Sequence, residues 1–285
     1  MRLCFFNNDR LGLVNQDEIL DVSRALESLG AARYPYVRYD AFIEQLDALR
    51  PAIAAAAPGA SRHAISDVVL RSPVLNPGKI VAAPVNYRKH LAEAIAEPET
   101  FSAAHVRQIQ ETGLFLKATS SLIGAGSPVL IRHPSRRTDH EVELAVIMGR
   151  RCDRVPRADA LHYVAGYSIG LDITIRGPEE RSLRKSLDTY TVLGPWLVTS
   201  DEIPDASGLD LALDVNTEPR QRANTRDLIM SVPELIEFAS SFYSFEPGDI
   251  LLTGTPEGVG PIVIGDEITA SIEAIGTMRV LVRAG

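Results

Sequence analysis

The spacing of hydrophobic residues divides the chain into a short N-terminal part and a longer remainder. Residues 1–72 contain three short apolar runs separated by turn-forming Asn and Asp, then apolar residues at helical spacing after Asp40. Pro51 is expected to end that helix or to begin a new one. The proline-rich stretch 72–78 predicts a linker. We therefore expect a small N-terminal α+β domain over 1–72 and a second domain over 73–285.

The second domain is predicted to have a β-rich core. Its apolar runs have strand length and are joined by turns that carry Gly and Pro, while Ser231 and Glu234 form a capping box that opens a helix. Strands and helices do not alternate regularly, as they would in a doubly wound parallel fold. This pattern favours an α+β fold, with a mixed or largely antiparallel β core and peripheral helices. The predicted strands are 79–82, 113–117, 141–148, 163–172, 209–215, 249–253 and 266–273.

Composition and charge narrow the range of partners. The 285 residues carry a formal net charge of −8, which disfavours nucleic acid or an anionic membrane as the main partner. No run approaches the ~18 consecutive apolar residues of a membrane span. Cys4 and Cys152 form no C-x-x-C pattern, and the N-terminus lacks the apolar run of a signal peptide. We expect a cytoplasmic protein that acts on a small molecule.

The segment DHEVELAVIMG, residues 139–149, is typical of a buried strand, yet it opens with acidic residues. Side chains two residues apart on a strand share a face, so Glu141 and Glu143 project together. Two such carboxylates beside a core repel each other and lose hydration. Three arrangements would relieve the repulsion: protonation of one carboxylate, pairing with Arg or Lys, or binding of a divalent cation. Mg²⁺ and Mn²⁺ favour such oxygen ligands. Asp172, at the end of another apolar strand, is a third ligand if the fold brings it close.

His90 and Glu93 are three residues apart and would be neighbours on a helix. A carboxylate beside an imidazole orients it and raises its basicity, as a general base requires. A surface ion pair is the alternative. The polar stretch 93–112 has no strong apolar face and is predicted to form a mobile lid.

A basic run follows Asp172, and it is either a solvated face or a clamp for a substrate carboxylate. The glycine-rich segment TGTPEGVG, 253–260, lacks the Lys-Ser/Thr ending of a P-loop. It is either a tight turn or a loop whose backbone N–H groups and Thr255 hydroxyl hold an anion. The residues of the basic run are Arg176, Arg181, Arg184 and Lys185.

Taken in order, these segments resemble the fumarylacetoacetate hydrolase family, and the resemblance covers most of residues 79–282. It implies a mixed β-roll, often homodimeric, with a divalent cation (Mg²⁺ or Mn²⁺, with Ca²⁺ also known in the family) on Glu141, Glu143 and Asp172. It also implies a small extra N-terminal domain. The matching stretches are NYRKHLAEA, LFLKATSSLIGAGSPV, DHEVELAVIMG, GYSIGLDITIRGPE, KSLDTYTVLGPWLV, VNTEPRQRANTRDLIM and PGDILLTGTPEGVGP.

The same resemblance assigns roles to further residues. His90 and Glu93 would form the dyad that activates water, and Lys185 would lie near the substrate oxygens. The positions that match or neighbour the substrate contacts of the family are Lys117, Arg176, Glu179 and Thr255.

The implied reaction is metal-dependent hydrolysis of a C–C bond in a 2,4-dioxo acid of the acylpyruvate type. Maleylpyruvate or fumarylpyruvate, from aromatic-ring degradation, is the preferred substrate, with pyruvate and a carboxylic acid as products. An isomerase or decarboxylase acting on a 2-hydroxy-dienoate or oxaloacetate-like acid would use the same metal site. A non-catalytic binder of small acids is a further alternative.

Three positions, in two segments, depart from the family pattern. Leu171 stands where an Asn commonly precedes the third metal ligand, and the usual Arg-Asp-x-Gln reads Arg-Gly-Pro-Glu over 176–179. An ionised Glu179 would repel a substrate carboxylate. Arg181 and Arg184 are the residues expected to compensate.

Overall fold

The computed structural model describes residues 1–31, 33–96 and 109–285. Within these ranges the strands form sheets of eleven, three and five strands. Each predicted strand run contains an observed strand, and the helix predicted from the capping box is α6. The strands are β1 (Arg2–Phe6), β2 (Arg10–Asn15), β3 (Glu18–Asp21), β4 (Arg62–Ala64), β5 (Ile80–Ala82), β6 (Phe115–Lys117), β7 (Leu122–Gly124), β8 (Val129–Ile131), β9 (Thr138–His140), β10 (Val142–Met148), β11 (Val164–Asp172), β12 (Thr174–Ile175), β13 (Thr191–Thr199), β14 (Asp210–Val215), β15 (Glu218–Asn224), β16 (Ile250–Leu252), β17 (Gly260–Ile262), β18 (Glu267–Ile272) and β19 (Gly276–Ala284). The α-helices are α1 (Ala41–Glu44), α2 (Leu46–Ala56), α3 (Arg88–Ala96), α4 (Ile109–Thr112), α5 (Arg181–Lys185) and α6 (Val232–Ser240).

The large sheet is mixed, as the sequence predicts. Its order is β4-β3-β2-β1-β13-β11-β10-β16-β5-β6, with β7 paired to β13. Most neighbours are antiparallel, while β16 with β5 and β13 with β7 are parallel. The central pair, β10 and β11, is antiparallel with Val142 opposite Leu171. This register sets Asp172 opposite Glu141, whose carbonyl accepts the Asp172 N–H at 2.9 Å.

The two faces of the large sheet carry different hydrophobic clusters. Leu144 and Val146 of β10 pack on one side with residues of the five-stranded sheet β15-β14-β18-β19-β8, such as Leu213. Ala145 and Ile147 pack on the other side with the N-terminal helices. Because side chains alternate along a strand, the acidic positions that precede Ala145 lie on this second face, beyond the apolar cluster.

The N-terminal strands extend the large sheet rather than forming a sheet of their own. β1 pairs with β13, with Arg2 opposite Val198. Leu3 and Phe5 share a hydrophobic cluster with Ile147 of β10. The domain boundary at residue 72 stays a prediction, since this part shares backbone hydrogen bonds and core with the remainder.

The prediction for Pro51 is wrong. The helical segment after Asp40, whose carboxylate caps it through the N–H groups of Phe42 and Ile43, breaks at Gln45, and Pro51 lies inside α2. Pro51 and the residue four positions before it are both exposed, so water can bond the carbonyl that loses its partner. Burial of the apolar face of α2 keeps the helix continuous. The residues buried on that face are Leu46, Leu49 and Ile53.

Across the described ranges, no helix combines the length and the apolar character needed to cross a membrane.

Candidate active site

Glu141, Glu143 and Asp172 form a buried cluster, named the carboxylate centre below. One carboxylate oxygen of each lies within 4.8 Å of the others. Alternation along the chain puts Glu141 and Glu143 on one face, and the β10–β11 register adds Asp172 beside them. The closeness of the third carboxylate, which spacing alone left open, follows from this antiparallel pairing.

Lys185 lies against two of these carboxylates. Its Nζ donates to Glu141 Oε2 at 2.8 Å and to Asp172 Oδ2. A third hydrogen bond, of 2.7 Å, goes to the Thr174 hydroxyl. The last turn of α5 therefore delivers a buried ammonium to the centre.

Lys117, at the end of β6, contacts Asp172 from the other side. Its Nζ lies 2.5 Å from Asp172 Oδ1 and also donates to the carbonyls of Lys185 and Tyr190. Burial lowers the pKa of Lys117, and the Asp172 charge opposes that effect. All three donors are thus engaged within the protein, and contact with a substrate stays a prediction for this residue.

The surroundings of the centre shift the pKa values of Glu141 and Glu143 in opposite directions. Burial favours the neutral form of Glu141, but the Lys185 and Arg176 cations outweigh burial and hold the pKa of Glu141 at about 2. Burial and the neighbouring Asp172 raise the pKa of Glu143 well above its usual range. Three buried carboxylate oxygens are the ligand type that Mg²⁺ and Mn²⁺ prefer, so the donor set fits a divalent cation.

Arg176 is held beside the centre by Asp139, a residue with no predicted role. Its Nε donates to Asp139 Oδ2 at 2.6 Å, and its Nη2 lies 3.3 Å from Glu141 Oε1. Arg137 donates to the other oxygen of Asp139 at 2.7 Å. The same two-residue alternation that joins Glu141 to Glu143 would have placed Asp139 on this face.

The carboxylate of Glu179 is paired, but not by the residues expected to compensate for it. Arg136 forms a two-pronged ion pair with it, at 2.9 and 2.7 Å. Arg184 donates only to the Glu179 backbone carbonyl. Side-chain hydrogen bonds from Arg136 lower the pKa of Glu179. The charge that would repel a substrate anion is therefore neutralised by an arginine 43 residues earlier in the chain.

His90 and Glu93 lie together on α3, as the helical spacing predicts. His90 Nδ1 is 2.8 Å from Glu93 Oε2, and the imidazole is only 3% exposed. Burial of the ring distinguishes this pair from an ion pair on a solvated face. Donation by Nδ1–H to the carboxylate makes Nε2 the basic nitrogen.

The predicted lid, 93–112, falls mainly on residues 97–108, which lie outside the described ranges. Its first residues belong to α3 and its last four form α4.

The glycine-rich loop 253–260 binds carboxyl groups of the protein itself through its backbone N–H groups. Gly254 N–H donates to Glu143 Oε2 at 2.6 Å, and Gly258 N–H donates to Glu93 Oε1 at 2.8 Å. Both glycines have positive φ, 98° and 88°, where L-residues are strained. One loop therefore fixes a member of the carboxylate centre and the carboxylate that orients His90.

Gln221 anchors this loop, and no sequence signal identifies it, because its strand β15 is otherwise largely exposed. The Gln221 side chain is fully buried and donates to the Thr255 hydroxyl at 2.8 Å and to the Pro256 carbonyl at 2.9 Å. Its oxygen accepts the Val142 N–H at 3.1 Å. Thr255 is itself fully buried, so its contact with a substrate stays a prediction.

Comparison with known proteins agrees with this architecture. The chain matches the fumarylacetoacetate (FAA) hydrolase C-terminal family over residues 79–283. A maleylpyruvate hydrolase of Aquipseudomonas alcaligenes is 54% identical over 286 residues, covering 100% of both chains. The maleylpyruvate hydrolase of Sphingobium sp. SYK-6, whose crystal structure contains manganese(II) ion and pyruvate, superposes with a TM-score of 0.85 at 42% identity over 100% of both chains.

A second solved structure belongs to a protein with a different activity. The 5-carboxymethyl-2-hydroxymuconate delta-isomerase of Mycobacterium smegmatis has a TM-score of 0.71 at 29% identity, again over 100% of both chains. The family match covers most of the chain, and the relatives align over its whole length. The chain therefore belongs to the fumarylacetoacetate hydrolase family.

Proposed function

We propose that this chain is a metal-dependent hydrolase that cleaves a C–C bond in an acylpyruvate, with maleylpyruvate or fumarylpyruvate as substrate. The products are pyruvate and a carboxylic acid, and the context is the degradation of aromatic compounds. The observation that carries the proposal is the joint presence of the buried carboxylate centre and a buried His–Glu dyad, linked by one loop. The 54% identical maleylpyruvate hydrolase supports the choice of substrate.

Glu141, Glu143 and Asp172 are the residues that would hold the ion. Manganese is favoured because it is bound in the Sphingobium relative, and magnesium is the alternative with similar ligand preference. When bound, the ion supplies a Lewis acid that polarises the substrate's oxo group and orients the dioxo acid. Lys185 and Lys117 keep the carboxylates in place through their hydrogen bonds to Glu141 and Asp172.

The dyad supplies the base. Glu93 accepts from His90 Nδ1 and thereby orients the ring so that Nε2 removes a proton from water. The resulting hydroxide attacks the 4-oxo carbon of the substrate. Gly258 N–H holds the second oxygen of Glu93, so the ring orientation depends on the glycine-rich loop.

Positive side chains surround the atoms where negative charge develops. Lys185, whose N–H groups are engaged within the protein, is the cation whose charge is proposed to stabilise the oxyanion formed on the 4-oxo group. Arg176, fixed by Asp139, adds a second cation beside Glu141. The C–C bond then breaks, the carboxylic acid is released, and protonation of the enolate gives pyruvate.

The isomerase alternative shares the carboxylate centre but needs no attacking water. The structural similarity to a delta-isomerase supports this alternative. A tautomeric shift also needs a base that moves a proton, so the dyad is compatible with both reactions. The 54% identity to a maleylpyruvate hydrolase over the whole length of both chains favours hydrolysis.

The deciding experiment follows the near-UV absorbance of the acylpyruvate enol, with maleylpyruvate and acetylpyruvate as compounds. Each reaction is run with Mn²⁺, with Mg²⁺ and with excess EDTA, and the products are identified by mass. Loss of absorbance that requires metal and releases pyruvate is the expected result. Absorbance change with retained mass would instead establish an isomerase, and loss of CO₂ alone a decarboxylase. Bound metal without turnover of any dioxo acid would establish a binder.

We also propose that the protein works as a cytoplasmic homodimer. The family resemblance supports the dimer, and the two buried, unpaired cysteines, Cys4 and Cys152, are typical of a reducing compartment.

A further inference from the structure

Arg181 lies one helical turn before Lys185 on α5. Residues four apart share a helix face, and four residues rise about 6 Å along the axis. Lys185 reaches the carboxylate centre, so Arg181 occupies the same face at a position further from the metal ligands. Burial and Arg184 lower the pKa of Arg181, and the charges of Glu141 and Asp172 partly oppose that effect.

Phe115 supports both cationic groups. The guanidinium carbon of Arg181 lies 5.4 Å from the centroid of the Phe115 ring, and Lys185 Nζ lies 5.3 Å from it. Phe115 is buried at the start of β6, two residues before Lys117. A cation over the face of an aromatic ring is attracted to it. Phe115 therefore holds the Arg181 guanidinium over the face of its ring.

The carboxylates near Arg181 are engaged with other groups. Glu179 pairs with Arg136, and Glu180 accepts from the N–H and hydroxyl of Ser182. Glu141 and Asp172 bind the ammonium of Lys185. Over residues 1–31, 33–96 and 109–285, Arg181 itself has the Phe115 ring as a partner but no ion pair. Burial and the neighbouring Arg184 lower the pKa of Arg181, as expected of a partly desolvated guanidinium without a close anion.

We propose that Arg181, held over the Phe115 ring, binds the terminal carboxylate of a dicarboxylic acylpyruvate and makes the enzyme selective for such substrates. This inference rests on the proposed function. The dioxo end of the substrate is placed at the carboxylate centre, and in maleylpyruvate a short unsaturated chain leads from the 4-oxo group to the second carboxylate. That carboxylate matches the planar fork of a guanidinium, which can bind both of its oxygens. An acylpyruvate that ends in a methyl group has no second carboxylate for Arg181 to bind.

The test compares two substrates and two variants. Maleylpyruvate carries the terminal carboxylate and acetylpyruvate lacks it, and both are assayed with saturating Mn²⁺. Arg181→Met removes the charge and keeps a side chain that covers Phe115. Arg132→Met makes the same change at an exposed arginine paired with Asp188, outside the site.

The expected result is a change in the ratio of the two kcat/KM values. A charged hydrogen-bonded pair corresponds to roughly 10- to 150-fold in binding, so Arg181→Met should lower kcat/KM for maleylpyruvate by that factor. The kcat/KM of Arg181→Met for acetylpyruvate should stay within about threefold of the unaltered enzyme, which also shows that the variant is folded. The kcat/KM values of Arg132→Met for both substrates should stay within the same limit. Equal losses on both substrates, or no loss on maleylpyruvate, would overturn the proposal. Failure of the unaltered enzyme to hydrolyse either compound would instead refute the proposed function.

Discussion

The carboxylate centre and the His90–Glu93 dyad contribute to one site but are held in different ways. Glu143 and Asp172 lie on central strands of the large sheet, where Glu143 pairs with Gly170 of β11 and Asp172 pairs with Thr191 of β13. The dyad lies on the nine-residue helix α3, with the Glu93 side chain 20% exposed and fixed through the Gly258 N–H. The difference teaches that the proposed ion binding and the proposed water activation would depend on separate elements. Substitutions should therefore be able to remove one function and spare the other.

The largest expected effect comes from the carboxylate centre. Glu141→Gln keeps the side-chain shape but removes a charge that Lys185 and Arg176 share. We expect Mn²⁺ affinity to fall and kcat/KM to fall at least ~10³-fold, because the Lewis acid contributes several kcal/mol. Calorimetric titration with Mn²⁺ and steady-state assays measure both. Glu218→Gln, an exposed change on β15, is the control and should alter neither. Unchanged Mn²⁺ affinity in Glu141→Gln would show that Glu141 is not a ligand of the ion.

Removing the base should separate the two regions most clearly. His90→Gln retains a polar side chain but not the proton acceptor, and we expect kcat to fall by roughly 10²- to 10⁴-fold, the usual contribution of general-base catalysis. Mn²⁺ affinity should equal that of the unaltered protein, since α3 contributes no carboxylate to the centre. A parallel loss of metal binding would show that the two regions are not independent.

Disturbing the loop that links the regions should have a smaller effect. At Gly258, φ is +88° and a Cβ would lie 2.1 Å from the Arg220 carbonyl oxygen, so Gly258→Ala must shift the loop. We expect kcat to fall about tenfold and the free energy of unfolding to fall by about 1–3 kcal/mol, with Mn²⁺ affinity largely retained.

Gly265→Ala is the matched control for this change. Gly265 also has positive φ, +103°, but a Cβ there would meet nothing within 4 Å. It should lower stability through backbone strain alone and leave kcat unchanged. Equal kcat values for the two variants would contradict a role of the loop in positioning Glu93.

The smallest effect is expected at Glu179, outside both regions. Its ion pair with Arg136 is about one-third exposed on each side, and such pairs contribute roughly 0–1 kcal/mol. Glu179→Gln should therefore change kcat/KM by less than about threefold and hardly shift the thermal midpoint. A tenfold or larger gain in kcat/KM would mean that Glu179 repels the substrate despite its partner.

The sequence predicts one part of the site well because that part depends on local geometry. Alternation along a strand pairs Glu141 with Glu143, and helical spacing pairs His90 with Glu93. The capping box of α6 and the apolar strand runs are equally local. For loop 253–260 the sequence leaves a tight turn and an anion-binding loop as alternatives, and it does not indicate that the groups bound are carboxylates of the protein itself.

Other features could not be predicted because they depend on contacts between distant segments. The closeness of Asp172 to Glu141 requires the β10–β11 register. The role of Gln221 depends on the hairpin β14–β15 reaching the glycine-rich loop. Pro51 lies inside a helix because tertiary burial outweighs its local preference.

The most direct test of the account is the fate of the attacking water. Maleylpyruvate is hydrolysed in ¹⁸O-labelled water with Mn²⁺, and the acid product is analysed by mass. The account predicts one ¹⁸O atom in the maleate carboxyl groups, at a rate that falls in His90→Gln together with pyruvate release. Maleate without the label, or pyruvate release that is unchanged in His90→Gln, would contradict water activation by the dyad.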